Sequence, residues 1–232
     1  MGGLAAGILP ARRLSMLELA LGHDPRAPLR ILCLGAHSDD IEIGCGGALL
    51  HLLRHYPAAS VRWVVFSAAD DQRRDEALTG ASRFLAGAAA REVRIERFRE
   101  SFFPFAGEQI KECIEGLAAA PPPDLIFTHY RGDLHQDHRL LGELTWTAFR
   151  RSLILEYEIP KWDGDLGSPN CYVRLPPDIV EEKVLALSET FVSQRAKHWF
   201  TPETFRALMR LRGVEANAPF AEGFYARKLA IG

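Results

Sequence analysis

The sequence predicts an α/β protein built on a mainly parallel sheet, and three observations predict it. Short, continuous apolar runs alternate with segments of ten to fifteen residues that have helical apolar spacing. Strand-to-helix alternation of this kind gives right-handed βαβ units. The two polar clusters richest in histidine and aspartate, 37–40 and 135–138, each follow such an apolar run. In open α/β sheets ligands bind beyond the carboxyl ends of the strands, so a site is expected there.

In chain order, Leu14–Leu21 is expected to be a short helix within an N-terminal extension, 1–27. "LRILCLGA" (29–36) reads as a buried strand, an unbroken apolar run after Pro28. Ile41, Cys45, Ala48, Leu49, Leu52 and Leu53 then fall at helical spacing, with Ser38 or Asp39 placed to cap the first turn. Strands follow at 61–69, 92–98, 124–130 and 153–159, and helices at 72–87, 107–120 and 138–151. Gly87 closes the second helix, and Pro121 to Pro123 stop the third. Segments 99–106, 157–172 and 195–220 read as loops over the site. Phe102, Phe103 and Phe105 in the first of them suit either an apolar wall or the core.

The 28 basic and 30 acidic residues among 232 leave a formal net charge of -2, which argues against a nucleic-acid or anionic-membrane partner held by bulk charge. No apolar run is long enough to span a bilayer. The arginines of "MGGLAAGILPARRLS" follow its apolar stretch, the reverse of a secretory signal. Cys33, Cys45, Cys113 and Cys171 form no CxxC pair, so a reduced, cytoplasmic setting is expected.

The stretch "LGAHSDDIEIGCGG" (34–47) admits three readings: a nucleotide-binding glycine loop, a capped helix start, or half of a metal site. Gly44, Gly46 and Gly47 come a turn or more inside the helix, behind two carboxylates that would repel a pyrophosphate. Close helix packing explains them better. "HSDD" alone would serve as a cap. The second cluster, "HYRGDLHQDHR", adds His129, His135, Asp137 and His138. One ligand from it joined to His37 and Asp40 makes two histidines and a carboxylate, a set that leaves zinc an open position for catalysis. Other divalent metals remain open.

"AHSDDIEIGCGG" and "HQDH" resemble the AHPDDxExGxGG and HxDH motifs of the LmbE-like (PIG-L) zinc deacetylases. "RRDEALTGASRFLAG", "VEEKVLALSETFVSQ" and "RGVEANAPFAEGFYARK" extend the likeness over most of the chain. The resemblance implies a single-domain, Rossmann-like three-layer sandwich spanning 1–232. It implies a Zn²⁺-dependent hydrolase that removes an N-acetyl group from an amino sugar of the N-acetylglucosamine type or its conjugate, a small-molecule partner. An amidase for a larger acyl group, and a non-catalytic sugar- or nucleotide-binding module, are the alternatives. By position, His37, Asp40 and His138 become the metal ligands and Asp39 the base. His135 stabilises the oxyanion or protonates the amine, and Asp137 tunes a neighbouring imidazole. Glu42 supports the loop.

Arg73 or Arg74 sits where the family places an arginine near the substrate, though the pair also suits a solvated helix face. Segment 157–172 reads as a lid, with Trp162 as stacking face and Asp163 and Asp165 as hydroxyl acceptors, or as a packed connection. Two departures stand out: Ser38 replaces a proline, and Phe191 replaces a frequent histidine. A homo-oligomer is left open.

Overall fold

A computed structural model describes residues 18–24 and 26–230. Its single sheet has the order β3-β2-β1-β4-β5-β7-β6. The first strands are β1 (Arg30–Gly35), β2 (Ser60–Val65), β3 (Ala90–Ile95), β4 (Leu125–His129) and β5 (Leu153–Tyr157), all parallel where they pair. β7 (Phe220–Ala226) runs antiparallel to β5, and β6 (Cys171–Leu175) antiparallel to β7. The helices are α1 (Asp40–His55), α2 (Asp71–Phe84), α3 (Gly107–Ala119), α4 (Gln136–Ala148), α5 (Pro177–Thr190) and α6 (Pro202–Glu215).

The three layers follow from the period of two along each strand. In β1, Ile31 and Cys33 enter one core with α1, α2 and α5, while Leu32 and Leu34 enter a second with α3 and α4. β2 and β4 divide their residues in the same way. A central parallel strand is covered on both faces, which is why it reads as an unbroken apolar run. The order reverses between β1 and β4, so the crevice at their carboxyl ends is the topological switch point. Both polar clusters open into it.

The glycines of α1 are packing residues. A Cβ at Gly44 would lie 2.1 Å from the Tyr157 ring, and one at Gly46 would lie 2.5 Å from Phe84. Further along α1, buried Glu222 accepts from the Gly47 and Ala48 N–H groups at 2.8 and 2.7 Å. Buried Lys183 donates to Ile43 O and to Glu222, both at 2.6 Å. This ion pair, contributed by α5 and β7, grips the helix from outside.

The expected elements between 29 and 159 are present, with the strands expected at 61–69 and 92–98 ending three residues early or more. Segment 195–220 is corrected: it contains α6, with Thr201 accepting from the Thr204 N–H, Pro202 in the first turn, and Phe205 and Met209 buried. Of the helix expected over 14–21, residues 14–17 lie outside the described residues and 18–21 are not helical. Among the described residues no helix is long and apolar enough to cross a membrane.

Candidate active site

β1 ends at Gly35, and the turn that follows is closed by the His37 N–H, which donates to Asp40 Oδ2 at 2.7 Å. Asp39 occupies the N-cap position of α1, but its carboxylate does not cap. It accepts from Arg73 Nη2 at 2.6 Å, and Arg73 Nη1 donates to Glu76 at 3.0 Å and to Ser193 at 3.3 Å. The capping expected of Ser38 or Asp39 is therefore corrected, because a buried guanidinium outcompetes a backbone amide for a carboxylate. Arg73 is also no solvated surface residue: it is 8% exposed, while Arg74 donates to Ile95 O.

β4 delivers the second cluster. His135 sits at the N-cap of α4, its Nδ1 accepting from the Asp137 N–H at 3.3 Å. Asp137 Oδ2 lies 3.1 Å from His37 Nε2, and Asp137 accepts from the Ser101 and Phe103 N–H groups at 2.6 and 3.1 Å. The imidazole that Asp137 faces is thus that of His37. His138 Nδ1 lies 2.9 Å from Asp133 Oδ2. A carboxylate therefore takes one ring N–H from each of His37 and His138 and turns His37 Nδ1 and His138 Nε2 toward Asp40, where a metal would take their lone pairs in exchange for the proton on His37.

Those two nitrogens converge with Asp40 Oδ2. The separations are 3.1 Å between His37 Nδ1 and His138 Nε2, 3.3 Å between His37 Nδ1 and Asp40, and 3.5 Å between His138 Nε2 and Asp40. Ligands about 2.0–2.1 Å from a common centre at tetrahedral angles lie about 3.3 Å apart, so these atoms fit one face of a zinc-sized tetrahedron. Two further imidazoles border the triangle, and the groups His37, His135, His138 and Asp40, His129, His138 each hold donor atoms close enough to share an ion. His129 Nε2 is 3.2 Å from Asp40 but also accepts from the Ala36 N–H at 3.0 Å. Its Nδ1 is buried with no partner among the described residues. Neither His129 nor His135 has the carboxylate backing of the other pair.

The charges are uneven. Burial favours neutral His37, yet Asp40 and the bond to Asp137 override it and raise its pKa to about 10. Burial opposes ionisation of Asp40, but His138, His129 and His37 hold its carboxyl well below the usual range. Burial, with help from Asp40, lifts the Asp39 carboxyl despite Arg73. Burial and the neighbouring His129 push His138 down to about 3. His135 is also lowered, by burial and by His37. Glu42 is fully buried beside Gly80, and burial raises its carboxyl well above the usual range.

The sequence-derived residues His37, Asp39, Asp40, Arg73, His135, Asp137 and His138 thus meet in one crevice. Trp162 does not join them: it is 66% exposed, edge-on to His198. Asp163 faces Lys161 at 3.9 Å. Phe103 is fully buried in the core, and Phe105 is 85% exposed. Phe191 is buried, with Arg73 over its ring at 5.8 Å. Asp133, Glu76 and Ser193 are contacts that sequence reasoning missed. Asp133 alone had a signal, lying two residues before His135 in "GDLHQDH".

Residues 32–149 match the family described as PIG-L, GlcNAc-PI de-N-acetylase. The chain belongs to the PIG-L family. The PIG-L match runs from within β1 to the end of α4 and so contains both halves of the His–Asp triangle. Among solved structures, the conserved protein TT1542 from Thermus thermophilus superposes with a TM-score of 0.70 at 18% identity, covering 88% of this chain and 97% of that one. N,N'-diacetylchitobiose deacetylase from Pyrococcus horikoshii gives 0.63 at 21% identity, covering 84% and 82%. GalB, the 4-carboxy-2-hydroxymuconate hydratase of Pseudomonas putida, gives 0.63 at 17% identity, covering 88% and 98%. At these identities the likeness is one of fold, and the fold serves more than one chemistry.

Proposed function

We propose that this PIG-L protein is a zinc-dependent hydrolase that removes the N-acetyl group from an N-acetylated amino sugar of the N-acetylglucosamine type, or from its conjugate. One observation carries the reading: His37 Nδ1, Asp40 Oδ2 and His138 Nε2 stand 3.1–3.5 Å apart at the switch point, with the buried carboxylate of Asp39 next in sequence. His37, Asp40 and His138 would hold the metal, since both histidines have a carboxylate on the far nitrogen and His129 has none. Zinc held there supplies Lewis acidity toward the amide carbonyl and acidifies water.

The chain's own groups supply the proton traffic. Asp39 is the general base; burial lifts its carboxyl toward the range useful for proton transfer, and Arg73 at 2.6 Å fixes its direction. Burial and His37 lower the pKa of His135, which favours its neutral form. Its Nδ1 accepts a backbone N–H, so the proton resides on Nε2, where it can donate a hydrogen bond to the developing oxyanion, while the proton that Asp39 takes from water is returned to the leaving amine. Asp137 orients His37, and Glu76 with Ser193 orients Arg73.

The family's description and the deacetylase fold relative support acetyl as the group removed. The test is release of free amine and acetate by zinc-loaded protein from N-acetylglucosamine and its nucleotide-, lipid- and aglycone-linked forms. Stoichiometric release from at least one form is expected. Release only from longer acyl groups would move the assignment to an amidase. No release by protein carrying one metal equivalent would overturn it in favour of a binding module.

A further inference from the structure

The connection from β5 to β6 reaches the site through a buried lysine, not through its exposed tryptophan. Lys161 Nζ lies 3.0 Å from Asp133 Oδ1 and 2.8 and 2.6 Å from the two oxygens of Asp165. The side chains of Lys161, Asp133 and Asp165 are 7%, 3% and 6% exposed. Asp133 also accepts from the His135 N–H at 2.8 Å, and Asp165 accepts from the Leu134 N–H at 2.8 Å. The other Asp133 oxygen faces His138 Nδ1 at 2.9 Å. A continuous path therefore runs from Lys161 through Asp133 to the far ring nitrogen of His138, whose Nε2 is a vertex of the triangle.

We propose that Lys161 is a positioning residue for the metal centre. Its ammonium holds Asp133 in the geometry that orients His138, and its second contact, to Asp165, clamps segment 157–172 onto the loop carrying His135. The inference rests on the reading of His138 as a metal ligand. The physics is that of a buried charge array. One ammonium lies between two buried carboxylates, and removing it leaves two anions facing each other out of water. They separate, and the carboxylate that fixes the His138 ring is one of the two that move. Loss of a group that orients a ligand histidine weakens metal binding about 10–100-fold. Asp165→Asn, by contrast, leaves the Lys161–Asp133 contact in place, so it loosens the segment while the ligand keeps its aim.

The test measures zinc affinity by competition with a chromophoric chelator, and the visible spectrum of the cobalt-loaded protein, on intact chains whose folding is checked by circular dichroism. Lys161→Met is expected to weaken zinc binding about 10–100-fold and to shift the cobalt bands. Asp165→Asn is expected to leave both within about twofold of wild type. Lys161→Met combined with Asp133→Asn is expected to be no weaker than Asp133→Asn alone, because the lysine acts through that carboxylate. Should Lys161→Met not fold, Lys161→Gln, which retains N–H donors but no charge, must still weaken zinc by more than about twofold and shift the spectrum.

Wild-type affinity and spectrum in a folded Lys161 variant, or fully additive losses in the double variant, would overturn the inference. His138→Ala separates that failure from a failure of the underlying reading. If His138→Ala loses zinc while Lys161→Met keeps it, only the inference falls. If His138→Ala keeps zinc, the ligand assignment itself falls.

Discussion

Two regions of this chain bury charge, and they balance it differently. In the antiparallel part of the sheet, Lys183 pairs with Glu222 at 2.6 Å, and Arg212 pairs with Glu158 through two bonds of 2.6 and 2.8 Å. Each buried cation there has a buried anion; Lys183 and Glu222 otherwise engage the backbone, and Arg212 engages Gly167 O and the more exposed carboxylate of Glu215. In the crevice between β1 and β4, four buried aspartates, Asp39, Asp40, Asp133 and Asp137, face two permanent cations, Arg73 and Lys161. Those two cations are also shared with Glu76 and Asp165. The balanced region is built to hold the fold together. The unbalanced one is short of positive charge, and a proton on His37 or a divalent ion is what meets the shortage.

The contrast gives graded predictions. The largest effect is expected at Asp39, which contacts Arg73 but is not a vertex of the triangle. Asp39→Asn should retain metal by elemental analysis and lose about 10²–10⁴-fold in turnover on whichever substrate the amine-release panel identifies. Full activity with metal bound would remove Asp39 from the base role. A smaller and different effect is expected at Lys183. Lys183→Met leaves Glu222 buried without its cation and should cost about 3–5 kcal/mol in urea unfolding of the metal-free protein. Zinc uptake per folded molecule should stay unchanged. If uptake falls with stability, the two charge systems are not separate and the comparison fails.

Much of this was legible in the sequence, for physical reasons. Central parallel strands are covered on both faces, so β1 shows the unbroken apolar run "ILCLG" and β4 the shorter "LIF". Both halves of the His–Asp triangle follow those strands directly, and topology brings them together. The C-terminal third was harder to read. β6 is only partly buried along most of its length, so it lacks the continuous apolar signal. α6 had a signal in "TPET", a threonine cap before a proline in the first turn, but its polar face masks the apolar stripe of Phe205 and Met209.

The least legible parts are pairings set by three-dimensional packing. Lys161 of the β5–β6 connection meets Asp133 of the β4–α4 loop, and Arg73 meets Asp39 across 34 positions of sequence. Neither pairing leaves a periodicity or a motif. Trp162 shows the limit of residue type as a guide: it is exposed, while the segment's buried contact to the loop carrying His135 comes from its neighbour Lys161.

The central claim is that the charge shortage at the switch point is met by one metal ion held by His37, Asp40 and His138. Equilibrium dialysis of chelator-stripped protein against buffered Zn²⁺, followed by elemental analysis, tests it most directly. One zinc per wild-type chain, and none in folded His138→Ala at the same free metal, is the predicted result. No zinc in the wild type, or equal uptake by both proteins, would contradict it.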